Sequence, residues 1–149
     1  MIRLKELLDS RRIVILSQTD KRSALDGLVN LLGHEPQVRD VEALRQAIHQ
    51  RESIMSTGVG FGIAVPHARV EGVDDLVLAI GISTDGIDFA AIDEQPVHII
   101  VMIAAGPDQQ DKYIRTLARV MMLLKNPQIR MKIAAAHSAD DVLDILQGF

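Results

Sequence analysis

Two apolar runs constrain this chain more than anything else in it. "LVLAIGIS", residues 76–83, and "VHIIVMIAA", residues 97–105, are almost unbroken in Val, Ile, Leu, Met and Ala. A strand with one wet face alternates apolar and polar residues, and these runs do not, so they read as central strands buried on both faces. Such strands need helices above and below them, and the rest of the chain supplies the helices. "RIVILS" reads as a further buried strand near the N-terminus, after a short helix marked by Leu4, Leu7 and Leu8. Thr19 or Asp20 caps a helix to about Leu32, with Gly33 as its stop. Asp40 caps a second helix through about Arg51, and Asp108 opens a long one through about Lys125. Asn126-Pro127 restarts a helix, and Ser138 with Asp141 resembles a capping box for the last. The expected fold is a three-layer α/β/α domain with a central mixed sheet, a single unit over residues 1–149.

Composition narrows the function classes. The net charge of −4 gives no general attraction to nucleic acid or to an anionic membrane. Cysteine is absent, which removes disulfides, thiolate metal sites and cysteine nucleophiles. "MIRLKELLDSRR" lacks the apolar core of a signal peptide, and no apolar run has the length of a membrane span. A soluble cytoplasmic protein with no membrane insertion is the expectation.

The chemistry concentrates in "STGVGFGIAVPHARVEG", residues 56–72. His67 follows Pro66, which fixes the approach of the chain and offers no N–H. It comes after an extended run, so it lies at a strand end, where α/β sheets place their sites. A neutral imidazole keeps one nitrogen lone pair near pH 7 and can accept a phosphoryl group and pass it on. Ser56 and Thr57 hydroxyls, with backbone N–H groups opened by Gly58, Gly60 and Gly62, could surround that group. Arg51, closing the preceding helix, could donate to it in a bidentate manner, and Arg69 adds a second cation. From local sequence alone an exposed histidine on a turn fits equally well, as do solvated roles for both arginines.

Other readings fit less. "GVGFG" lacks both the final spaced glycine of the dinucleotide fingerprint and the Gly-Lys-Ser/Thr of the phosphate-binding loop. The segment after it is extended and broken by proline, not a helix whose N-terminus would bind phosphate. His34, His49, His67, His98 and His137 show no short metal-ligand spacing, so neither metal nor cofactor is expected. A Ser/His/Asp triad stays possible, though no Gly-x-Ser-x-Gly elbow is present. His98 alternates into a strand and suits a hydrogen-bonded structural role. His49 suits an exposed helix face.

"RESIMSTGVGFGIAVPHARVEGV" resembles the active-site segment of enzyme IIA of the bacterial phosphoenolpyruvate-dependent phosphotransferase system. The match is to the fructose/mannitol type, which includes the nitrogen-regulatory enzyme IIA. "DGIDFAAIDEQPVHIIVMIAAGPDQQDKYIRTLARVMMLL" is similar to that family's second half, and the likeness covers nearly the whole chain. The resemblance implies a mixed sheet between helices. It implies that His67 takes a phosphoryl group from the phosphohistidine of a small carrier, HPr or its nitrogen-branch counterpart. His67 then passes it to a IIB domain or stores it as a regulatory signal. By the same match Arg51 helps bind the phosphoryl group, and Thr57 with the glycine loop shapes the pocket. The docking face is an apolar surface around His67, with Met55, Phe61 and Ile63 as candidates, core packing being the alternative for Ile63; Arg69 is counted with it.

One departure stands out. Many family members carry a second histidine in the first turn of the long helix, and Tyr113 stands in that place. A tyrosine hydroxyl still donates to a phosphoryl oxygen, but with a pKa near ~10 it makes no proton switch at neutral pH. Arg115 is two residues on, the wrong spacing to share Tyr113's direction on a helix. The chain's length leaves no room for fused IIB or membrane domains, so a stand-alone IIA, the regulatory branch in particular, is the expectation. The alternative is a non-catalytic binding regulator that keeps the fold and docks on a transporter, kinase or transcription factor.

Overall fold

The two apolar runs become neighbouring strands at the centre of one mixed sheet. The structure, a computed structural model, describes residues 3–149. β5 (Val77–Ile87) and β6 (Val97–Ala105) pair antiparallel, from Val77 opposite Ala104 to Ile82 opposite Ile99. From Val77 to Ile82 and from Ile99 to Ala105 their side chains obey the strand period of two. Ile99, Val101, Ile103 and Ala105 enter one apolar core, while Ile100, Met102 and Ala104 enter a second on the other face. This is why neither run could alternate with polar residues. Each fully buried Ile or Met contributes about 1.5–3 kcal/mol relative to exposure.

The remaining strands extend this pair. β1 (Ile13–Ile15) lies parallel to β5. On the other side of β6, β3 (Ile63–Ala64) and then β4 (His67–Arg69) run parallel to it, one after the other. β2 (Gly58–Gly60) turns back antiparallel on β3, giving the order β1-β5-β6-β3-β2. α1 (Lys21–Gly33) and α2 (Val41–Ile54) cover one face through Leu25, Leu28, Leu44 and Ile48. α3 (Gln110–Lys125), α4 (Pro127–Ala134) and α5 (Ala139–Ile145) cover the other through Val120, Leu124, Ile133 and Val142. The architecture is the expected three-layer α/β/α arrangement.

The caps act as their residue types require. Asp20, Asp40, Asn126 and Ser138 each accept a backbone N–H from the first turn of their helix. Asp108 does not open α3. The helix starts two residues later, after Gln109, whose side chain accepts from Gly106 N–H and donates to Asp75. α2 runs three residues past Arg51. Leu4–Leu7 form a 3₁₀ turn and not an α-helix. β5 continues past the apolar run through residues 84–87, with a register shift after Ile82. The glycine-rich stretch expected as loop holds β2 and a tight turn. Gly60, Phe61 and Gly62 all have positive φ there, 99°, 59° and 76°.

Candidate active site

Val65 and Pro66 interrupt the edge that β3 and β4 make along β6. Pro66 brings no N–H to the ladder, but its carbonyl accepts from Ile103 N at 2.9 Å, which keeps the chain on β6. His67 resumes the strand, half-buried, with Nδ1 2.7 Å from the Val65 carbonyl oxygen. A carbonyl only accepts, so Nδ1 carries the proton, and in the neutral ring Nε2 keeps its lone pair. The backbone two residues upstream therefore selects the tautomer.

His67 opens into a cleft of about 420 Å³. α2 lines it with Ala47, Gln50, Arg51 and Ile54; β4 supplies His67, Ala68 and Arg69; α3 supplies Tyr113. The cleft thus draws on helices from both outer layers. Arg51 is tethered through Nη1 to the Met55 carbonyl at 2.8 Å, which leaves its other guanidinium donors unengaged by that bond. Arg69 Nη1 donates to the Pro107 carbonyl at 3.1 Å and to Gln110 Oε1 at 3.4 Å. Two cations and no carboxylate stand among the described lining residues, in a chain whose net charge is −4. Tyr113 packs against the imidazole with ring centroids 5.9 Å apart and planes tilted by 57°. Burial pushes its phenol up from the ordinary 10.0 to about 12, against the pull of the Arg69 and Arg51 charges. Tyr113 is therefore a neutral donor at any physiological pH. A nucleophilic nitrogen, two guanidinium groups and a phenol O–H suit a compact anion that bonds to the ring.

The structure does not bring all the expected residues together. Ser56 Oγ donates to the Phe89 carbonyl at 2.7 Å and accepts from Gly58 N at 3.0 Å, outside the cleft lining. Thr57 is buried, and its hydroxyl and N–H both donate to the Glu52 carboxylate. Neither hydroxyl is turned to an anion on His67. The glycines do not cradle one either: a Cβ on Gly58 would fall 2.9 Å from the Ala91 backbone, so Gly58 serves close packing. Ile63 is a core residue, 3% exposed. Ile63 pairs with Ile99 and His67 with Ile103, placing them about 13 Å apart at ~3.3 Å per residue. Phe61 lies beyond Ile63, with its ring 4.8 Å from the Arg130 guanidinium, so it is not beside His67. Met55 is exposed next to Arg51's tether, at the edge of a separate apolar groove with Val59, Ala90 and Ile92. Sequence reading missed Gln50 and Ile54. The signal was available: 47, 50, 51 and 54 have the three-and-four spacing of one helical face.

The other histidines are engaged elsewhere. His98 Nδ1 meets the Ser83 carbonyl at 2.9 Å, the expected structural role. His49 is not on an open face, because Nε2 meets Asp26 Oδ1 at 2.7 Å. No group of three or more potential ligands among the described residues could hold a metal ion. No helix among them is long and apolar enough to cross a membrane.

Residues 6–148 match the family described as phosphoenolpyruvate-dependent sugar phosphotransferase system, EIIA 2. The chain belongs to this EIIA family. The chain is 35% identical over 146 residues to the fructose-specific EIIABC component of Bacillus subtilis, covering 97% of this chain and 23% of that protein. It therefore spans about a quarter of that relative. Its fold superimposes on the nitrogen regulatory protein IIA-Ntr of Neisseria meningitidis with a TM-score of 0.88 at 24% identity, over 96% of this chain and 98% of that one. It superimposes also on the IIA of the Escherichia coli complex of mannitol IIA with phosphorylated IIB, with a TM-score of 0.81 at 23% identity, over 95% and 98% of the two chains. EIIA domains are phosphotransfer components, and the sequence likeness extends to both sugar-specific and nitrogen-regulatory members.

Proposed function

We propose that this EIIA is a phosphocarrier that holds the phosphoryl group on Nε2 of His67. The observation that carries the reading is the hydrogen bond from Nδ1 to the Val65 carbonyl, which leaves Nε2 as a nucleophile facing a cationic cleft. The donor is the phosphohistidine of an HPr-type carrier, of either branch. The Nε2 lone pair forms the new N–P bond as the donor's P–N bond breaks, and that electron pair returns to the donor's ring. The Nδ1 proton stays where it is. The His67 ring gains positive character as the bond forms, and the Val65 carbonyl stabilises it. Arg51, Arg69 and the Tyr113 hydroxyl meet the phosphoryl oxygens, work that is mainly positioning and charge compensation. Ser56 and Thr57 act behind this layer, as supports of the segment that carries His67.

The acceptor is a IIB domain or a protein regulated by the phosphorylation state. Tyr113 supports the regulatory outlet, of nitrogen-regulatory type: it stays neutral, so it supplies no proton switch to time release of the phosphoryl group to a IIB domain. The same residue favours the second reading, a binding regulator that docks without transfer. Incubation with phosphoenolpyruvate, enzyme I and HPr from either branch, read by intact mass, separates the two. A carrier gains one acid-labile phosphoryl group, lost in His67→Ala. No gain from either donor leaves the docking regulator, and a gain retained in His67→Ala moves the site. Adding a IIB domain then distinguishes the outlets by whether the label leaves.

A further inference from the structure

A buried carboxylate lies directly behind the cleft. Glu52 follows Arg51 on α2 but points away from the cleft, and only 7% of it is exposed. Its oxygens are fully partnered. Lys21 Nζ from α1 sits at 2.8 Å, and Thr57 donates both its N–H, at 3.2 Å to each oxygen, and its hydroxyl. Thr57, after Ser56 on the Phe89 carbonyl, is the second fixed point beyond the end of α2. Its carbonyl accepts from Val65 N at 3.1 Å, and the Val65 carbonyl accepts from His67 Nδ1 at 2.7 Å. The segment between α2 and Thr57 also carries the Met55 carbonyl that tethers Arg51. One carboxylate thus stands at the root of two short chains of contacts, one ending on the nucleophile and the other on the guanidinium.

The geometry points to Glu52 as a positioning residue that, through Thr57 and Val65, sets the tautomer of His67 and the placement of Arg51. The inference rests on the reading of His67 as the phosphoryl acceptor. Its physical basis is that a half-buried imidazole chooses its protonated nitrogen by the partner that nitrogen finds. Pro66 and Ala64, on either side of Val65, are both held on β6, and Thr57, held by Glu52, adds the acceptor for the Val65 N–H that orients this peptide. Without the carboxylate, Thr57 loses the acceptor of both its donors, and Lys21 keeps only the Phe89 carbonyl at 3.3 Å and the Phe89 ring.

The test is the ¹⁵N NMR spectrum of the His67 ring in the full chain, for wild type, Glu52→Ala, Glu52→Gln and Thr57→Val. Wild type is expected as the Nδ1-protonated tautomer alone. Glu52→Ala, folded by circular dichroism, is expected to show a tautomer mixture and about tenfold slower phosphoryl acceptance with the donor's KM unchanged. Glu52→Gln keeps an oxygen for Thr57 and is expected to hold the wild-type tautomer. A folded Glu52→Ala protein with the wild-type His67 spectrum overturns the assignment. Should that variant not fold, Thr57→Val decides on the same readout, with a mixture expected and an unchanged spectrum overturning it. If wild type accepts no phosphoryl group, the carrier reading fails, while the tautomer comparison still judges Glu52.

Discussion

At the scale of single residues, the cleft is defined by what its groups cannot do. His67 cannot offer Nδ1, because Val65 holds that proton. Tyr113 cannot ionise in the working range, because burial lifts its pKa to about 12. A raised acid pKa favours the folded state below the unfolded value and loses that advantage as pH climbs through both values. The wild-type urea midpoint should therefore carry an alkaline decline from about pH 10 to 12 that Tyr113→Phe lacks, measured by urea titration across that range. Below pH 10 the difference between the two proteins should not depend on the state of residue 113. Arg51 offers a planar fork, and hydrogen bonds to charged groups contribute about 1.5–3 kcal/mol. Arg51→Ala should slow phosphoryl acceptance by about tenfold to a hundredfold. Arg51→Lys should recover only part, since it keeps the charge and loses the fork. Single-turnover rates from phosphorylated HPr check both.

At the scale of elements, the segment from Ser56 to Gly62 departs furthest from its sequence pattern. Its glycines read as a cradle, and three in five residues beside a histidine is what a cradle needs. The structure uses them for a hairpin instead: Gly58 lets Ala91 approach, and the turn needs positive φ at three successive residues. Phe61 takes the strained middle position at φ 59°, which costs about 1–2 kcal/mol in a non-glycine residue. Its contact with Arg130 returns roughly 0.5–1 kcal/mol. Phe61→Gly should change stability by less than about 1 kcal/mol and leave phosphoryl acceptance unaltered. Chemical denaturation with the transfer assay checks this, and a large transfer defect would place Phe61 on the docking face. Sequence could not separate the two uses of glycine, because the partner that demands each one, Ala91 or the turn, is supplied by distant pairing. The helix boundaries were legible where a side chain caps, as at Asp20, Asp40 and Asn126. They were not at α3, where Asp108 gives way to Gln109, tied to Gly106 and Asp75.

At the scale of the whole molecule, β6 belongs to both cores, and this was the most legible part of the fold. Nearly unbroken apolar character in residues 97–105 requires cover on both faces, and α1–α2 and α3–α5 provide it. Ile99→Ala and Ile100→Ala open cavities on opposite sides, so each should cost about 2–5 kcal/mol. The two sites are neighbours on one strand, so the double variant tests whether their effects add. Denaturant unfolding of the three variants measures it. The cleft was legible only in part. His67, Arg51, Arg69 and Tyr113 were found as chemistry-bearing types, and they meet because β4, α2 and α3 converge at the sheet edge. Gln50 and Ile54 were missed because neither residue type announces a site; only their helical phase with Arg51 does.

The central claim is that a phosphoryl group is held on one nitrogen of one residue. The measurement that tests it most directly is ¹⁵N–³¹P coupling in ¹⁵N-histidine-labelled protein phosphorylated through enzyme I and HPr. Coupling to Nε2 of His67, with Nδ1 still protonated, is the predicted result. Coupling to Nδ1, or phosphorus on any other residue, contradicts it.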